Sequence, residues 1–200
     1  REHIVRAVLR DIFEADESVN EISAAAKEEI AFHEAGHAVA ALAFDPEGVG
    51  LISIRPSKSD ARGVVQIFKS EDYFGSYDKM HERVISLLAG RAAVEFKFGR
   101  TDVGATSDME RAAFIAERFV TDYGMSGFEL LRPDNRTLTA EGHDERIIIG
   151  RNAMLARCYE EAKDVLRRNW AFVEKLAAAL VKRDTLVFEE IVELRKEMAA

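Results

Sequence analysis

His33-Glu34-Ala35-Gly36-His37 sets two imidazoles four positions apart, with a carboxylate beside the first. On an α-helix, positions i and i+4 share a face. Both rings can therefore reach one cation while Glu34 faces its open side. Zinc hydrolases use this device: two histidines hold the metal, and the carboxylate handles the protons of a water on it. Such a cation brings the pKa of water toward neutrality. Glu34 can take that proton and later return it to a leaving amine. Gly36 costs about 1 kcal/mol against alanine in a helix interior, so its presence in the motif predicts close approach of another element.

A catalytic zinc takes three protein ligands and keeps one position open. From the residues alone, two carboxylates are candidates for the third place. Glu95 lies near the end of a helix that Gly99 should stop, and a glutamate on a second helix fills this role in thermolysin-like sites. Asp108 falls in the first turn of a later helix, where a carboxylate also suits the helix dipole. His81 and His143 are weaker candidates, being isolated, and His3 is remote from any patterned partner. Periodicity leaves the choice open.

The elements that must position these groups read as mainly α, an α+β helical domain with one small antiparallel β element. Apolar residues at helical spacing mark a helix over 2–14, followed by an acidic break over 16–20. Ser23 is the expected N-cap of a helix running to Phe44 and carrying the motif, ended by Asp45-Pro46-Glu47-Gly48. Short β-type runs at 51–54 and 64–68 flank a polar loop. A helix should span 77–98, and Ser107 with Glu110 forms a capping-box pattern opening a helix to about 123. Residues 125–144 read as a surface loop, and the remainder as helix broken near Asn169 and Asp184.

Composition sets further bounds. The 200 residues are 48% hydrophobic, enough for a sizeable core, and the net charge of -8 argues against nonspecific nucleic-acid binding. Cys158 is the sole cysteine, so no internal disulfide forms. It reads as a small apolar residue on a helix, and a reducing compartment fits. No apolar run is long enough to span a bilayer and no signal peptide is visible. The chain starts at Arg1 rather than Met, which reads as a piece of a longer polypeptide. Residues 1–22 read as a helical extension or the end of an upstream module, and 23–200 as the metallopeptidase domain.

A series of motifs accompanies the first. His33 to Ala38 reads HEAGHA. Gly63-Val64-Val65-Gln66 and Leu88-Ala89-Gly90-Arg91-Ala92-Ala93 follow. Then come Gly104-Ala105-Thr106-Ser107-Asp108-Met109-Glu110-Arg111-Ala112 and Tyr123-Gly124-Met125-Ser126. In this order they resemble the peptidase domain of FtsH-type AAA+ metalloproteases, over roughly residues 23 to 198. The likeness includes the last helices, at 157–180 and 184–193.

The resemblance implies a Zn2+ endopeptidase whose third ligand is the aspartate of a Gly-Ala-x-x-Asp segment, here Asp108. Glu95 then becomes a candidate for orienting a ligand. The family lays extended substrate along an edge strand, which falls on Gly63, Val64, Val65, Gln66 and Ile67. The resemblance further implies unfolded or membrane-delivered protein substrates, a homo-hexameric ring, and an AAA+ ATPase module. It places the domain on the cytoplasmic side, with membrane anchors usual in full-length members. This chain contains no G-x-x-x-x-G-K-[ST], so ATP would act only through a module outside it. Tyr73, Tyr77 and His81 are candidates for an oxyanion donor besides the metal, with no physical discriminator among them. The alternatives are a silent assembly subunit that keeps the fold and a stand-alone peptidase. Retention of Glu34 beside a full ligand set disfavours the first.

Overall fold

The computed structural model describes residues 23–55, 63–67, 76–101, 103–123 and 140–199. The expectations for 2–14, 16–20, 56–62, Phe68, Tyr73, 124–139 and His3 lie outside these residues, as does the side chain of His143.

Helix α1 (Ala24–Phe44) is the central element. Ser23 caps it, its Oγ accepting from the Ala26 N–H at 3.2 Å. Every residue from Ile30 to Leu42 is buried, so this is a helix covered all round, not an amphipathic surface helix. Its cover comes mainly from α2 (Tyr77–Phe98) and α5 (Trp170–Arg183). Phe32 stacks on Trp170 with ring centroids 5.9 Å apart and meets the edge of Phe98 at 5.8 Å.

Strands β1 (Val49–Ser53), β2 (Val64–Ile67) and β3 (Thr185–Val187) form one antiparallel sheet in the order β2-β1-β3. Ile52 pairs with Val65 on one side and Leu186 on the other. The first two strands match the expected β element, with β1 beginning two residues earlier than the pattern suggested. β3 follows the break expected near Asp184, where the pattern gave no strand. Asp184 makes the break: at φ 60 it ends α5, its N–H bonding the Leu180 carbonyl at 2.8 Å. Its own carbonyl accepts from the Ile54 N–H at 2.9 Å. Three residues are too few to show an alternation, and the chain turns back into α6 (Phe188–Ala199) at once.

Two other boundaries differ from expectation. A 3-10 turn at Val103–Ala105 leads into α3 (Thr106–Thr121), so Ser107 lies inside the first turn rather than at the cap. Ser107 and Glu110 are both exposed and no side-chain cap bond forms at Ala105. Helix α4 (Ala140–Arg168) begins six residues before the pattern suggested. It absorbs Gly142, whose helix-interior penalty of about 1 kcal/mol is tolerable in a helix of 29 residues. The expected stops at Gly99 (φ 67) and Asn169 hold.

Gly36 lies where α1 crosses α2. A Cβ there would stand 2.6 Å from the Ala89 carbonyl oxygen and 2.7 Å from Ala93 Cβ. Because the nearest atom is backbone, relief requires moving a helix. Gly36→Ala should therefore lose stability by about 1–3 kcal/mol despite alanine's better helix propensity. The check is a lower urea midpoint at unchanged slope; a stabilised variant would show that the crossing is looser than drawn.

Candidate metal centre

α1 carries His33, Glu34 and His37, each less than 10% exposed. α3 brings Asp108 to them from its first turn. His33 Nε2 and His37 Nε2 are 3.0 Å apart, and Asp108 Oδ2 lies 3.2 Å from each. Among the described residues this is the one group of three or more His, Cys, Asp or Glu side chains whose ligand atoms cluster within 4.8 Å.

The donor set fits zinc. Atoms held tetrahedrally at roughly 2.0–2.2 Å from an ion lie about 3.3–3.5 Å from one another, close to the spacing here. His37 Nδ1 donates to the Ser86 carbonyl at 2.7 Å, which fixes that tautomer and turns the Nε2 lone pair inward. Two imidazole nitrogens and a carboxylate oxygen directed at one point need a cation to offset their repulsion. His33 Nδ1 is buried and lacks a hydrogen-bond partner among the described residues.

Titration follows this crowding. Burial opposes charge on His37, but the hydrogen bond and charge of Asp108 outweigh it, and the metal-free imidazole is raised to about 9. Burial also opposes charge on Asp108, yet its bonds to His33 and His37 hold it well below the usual carboxylate range. Glu34 goes the other way. Burial pushes its carboxyl up; His33 and His37 pull it partly back, and Asp108 adds to the rise.

Two glycines shape the cluster. A Cβ on Gly90 of α2 would meet His37 Nε2 at 2.4 Å and His33 Cε1 at 2.9 Å, so the α2 backbone lies directly on the ligand rings. A Cβ on Gly63, just before β2, would meet Glu34 Oε1 at 2.4 Å. Sequence reasoning passed over Ser86 and Gly90 as site residues. A glycine in mid-helix was a usable signal for Gly90, as it was for Gly36. Ser86 acts through its backbone carbonyl, which has no signature in residue type.

The other candidates lie elsewhere. Glu95 is five residues beyond Gly90, about 140° around the helix, and faces α4. It accepts from the Tyr159 hydroxyl and lies 3.3 Å from Lys163 Nζ. The Tyr159 bond, against some desolvation, keeps its pKa low. No described hydrogen bond joins it to a ligand; the orienting carbonyl is that of Ser86. Tyr77 stacks on His81 at 5.6 Å and meets Phe119 edge-on, while His81 Nε2 lies 3.2 Å from Glu161 Oε2. Both thus pack toward α3 and α4. Cys158 is buried, and burial pushes its thiol up to about 12, in keeping with its apolar reading.

Fold and site define a zinc metallopeptidase domain. Residues 20–194 match the family model described as peptidase family M41. Proteins named ATP-dependent zinc metalloprotease FtsH are similar to this chain. That of Syntrophus aciditrophicus is 34% identical over 195 residues, covering 86% of this chain and 26% of that protein. That of Rubrobacter xylanophilus is 33% identical over 201 residues, covering 89% and 30%. That of Bacillus subtilis is 30% identical over 183 residues, covering 81% and 28%. The chain belongs to peptidase family M41 as an FtsH-type peptidase domain, and spans less than a third of the length of these relatives.

A cation takes the lone pair that His37 otherwise uses for a proton. Below about 9 the metal-free imidazole is protonated, so zinc must displace that proton. Zinc affinity should climb as pH rises from 6.5 toward about 9 and flatten above. Calorimetric titration of zinc-free protein, in buffers of differing protonation enthalpy, reads both trend and proton count. An affinity flat across that window would contradict this electrostatic picture.

Proposed function

We propose that this chain is the zinc-dependent endopeptidase domain of an ATP-driven protease acting on unfolded polypeptides. The observation that carries the proposal is the convergence of His33, His37 and Asp108, drawn from two helices, beside the buried carboxylate of Glu34. His33 Nε2, His37 Nε2 and Asp108 Oδ2 would hold the ion. Bound zinc supplies Lewis acidity toward a peptide carbonyl and toward water.

The remaining work falls to the chain's own groups. Glu34 accepts a proton on its carboxylate from the attacking water and returns it to the leaving amine. Burial raises its pKa, which favours holding the proton between the two transfers. The Ser86 carbonyl keeps His37 in its ligand tautomer. β2 ends the sheet on one side, and its outer edge has no strand partner among the described residues. An extended substrate paired there through main-chain bonds would be recognised by shape more than by side chain, which suits broad specificity. Gly63, Val64, Val65, Gln66 and Ile67 would form this strand.

The similar proteins are named as ATP-dependent. An ATPase module in the same or a partner polypeptide would deliver substrate here, with peptidase domains arranged as a homo-hexameric ring. No helix among the described residues is long and apolar enough to cross a membrane. A cytoplasmic-side location, with any anchor elsewhere in the full polypeptide, is part of the same proposal.

Casein hydrolysis and zinc content, measured together, test the chemistry. Wild type should cleave and the chelated protein should not, while Glu34→Gln should retain zinc and lose at least ~10²-fold in rate. A Gln variant that cleaves at the full rate would sink the role given to Glu34. Asp108→Asn should weaken zinc binding by more than the ~10–100-fold typical of a group that merely orients a ligand. Glu95→Gln should leave zinc affinity near that of wild type; the reverse order would make Glu95 the ligand.

A further inference from the structure

We infer that Gly63 is a positioning residue for Glu34, and that its lack of a side chain sets where the proton-transferring carboxylate stands. The inference rests on the endopeptidase reading above. Three glycines press on the site, and what a Cβ would strike differs at each. The nearest atoms at Gly36 are the Ala89 carbonyl and Ala93 Cβ of α2, at Gly90 the ligand imidazoles, and at Gly63 the Glu34 side chain: Oε1 at 2.4 Å, Cδ at 2.7 Å and Cγ at 2.7 Å.

The first contact builds the helix crossing and the second bounds the ligand rings. The third meets the Glu34 side chain from Cγ outward, and those atoms can turn about the side chain's own bonds without moving the backbone. A methyl at position 63 would therefore be accommodated by displacing the carboxylate. The helix crossing and the three ligand atoms would stay in place.

Position matters more than presence for such a group. A general base works within hydrogen-bond reach of the proton it takes, and misplacement by about 1 Å can cost ~10²-fold. Gly63 is also contiguous with Val64, the first residue of β2, which pairs with Ser53 of β1. The strand proposed to hold substrate thus begins against the carboxylate that would act on it. A peptide bond opposite Gly63 would face Glu34, and the chain to one side of it would lie along the four residues of β2.

Gly63→Ala tests this in the zinc-loaded chain by four measurements: zinc content, thermal midpoint, steady-state cleavage of an unfolded substrate such as casein, and a crystal structure. The expected result is zinc content and midpoint near wild type, KM near wild type, and kcat lower by at least ~10-fold. In the crystal structure the Glu34 carboxylate should be displaced over an unmoved α1 backbone. Loss of zinc or of cooperative unfolding would overturn the inference, because the contact would then be structural. Unchanged kcat would overturn it, as would a raised KM with kcat retained, which would assign Gly63 to substrate pairing alone. If wild type itself cleaves nothing, the endopeptidase reading has failed. The carboxylate position in the variant crystal still decides the steric claim: an undisplaced Glu34 overturns it.

Discussion

The close crossing of α1 and α2 is the constraint on which the rest of the structure depends. Gly36 on one helix removes the side chain that would meet the α2 backbone, and Gly90 on the other the side chain that would meet the imidazoles. With the helices in contact, the Ser86 carbonyl comes within 2.7 Å of His37 Nδ1, and the α2 backbone lies on both ligand rings. Helix carbonyls normally bond within their own ladder, but a carbonyl has two lone pairs. The Ser86 hydroxyl meanwhile turns back to the Glu82 carbonyl at 2.9 Å and leaves the crossing clear. A geometric economy of backbone thus replaces a dedicated orienting carboxylate.

The crossing gathers charge where the fold would be better without it. Glu34 has its pKa raised by burial above the ordinary value of 4.5. A carboxyl raised on folding contributes its stability below the unfolded pKa and loses it as pH rises through the folded one. At neutral pH Glu34 is therefore a cost to the metal-free fold. Asp108, held low by the two imidazoles, has the opposite sign: its contribution is present above the unfolded pKa and is lost as pH falls through the folded one. A stability optimum would not place these two carboxylates together. Their coexistence is a sign of function.

How much of this the sequence disclosed depended on how local the signal was. His33, Glu34 and His37 are legible because one helix carries them at a fixed spacing, and Ser23 announces that helix through its own hydroxyl. Gly99, Asn169 and Asp184 mark breaks through their backbone preferences. β3 is illegible because three residues earn strand geometry only by pairing with β1, 132 to 136 positions earlier in the chain. The start of α4 was misread because Gly142 signals a break, yet it lies within the helix. The choice between Asp108 and Glu95 was not decidable from periodicity, since each lies on a helix whose rotation about its own axis is set by packing. Their different surroundings, a pair of imidazoles for one and Tyr159 with Lys163 for the other, are facts of three dimensions.

The candidate ligands stand far apart in sequence, so an ion held between them would also join two helices. His33 and His37 lie within the buried stretch of α1. Asp108 sits at the first turn of α3, whose buried residues are only Ala112, Ala116 and Phe119, all beyond it along the helix. That first turn is held by Met109, packed against the core, together with the two His–Asp contacts. The contact with His37 is charge-assisted while that imidazole carries a proton. A cation held at the same point would take the place of that proton and join α1 to α3. An ion there would thus fasten the fold as well as serve chemistry.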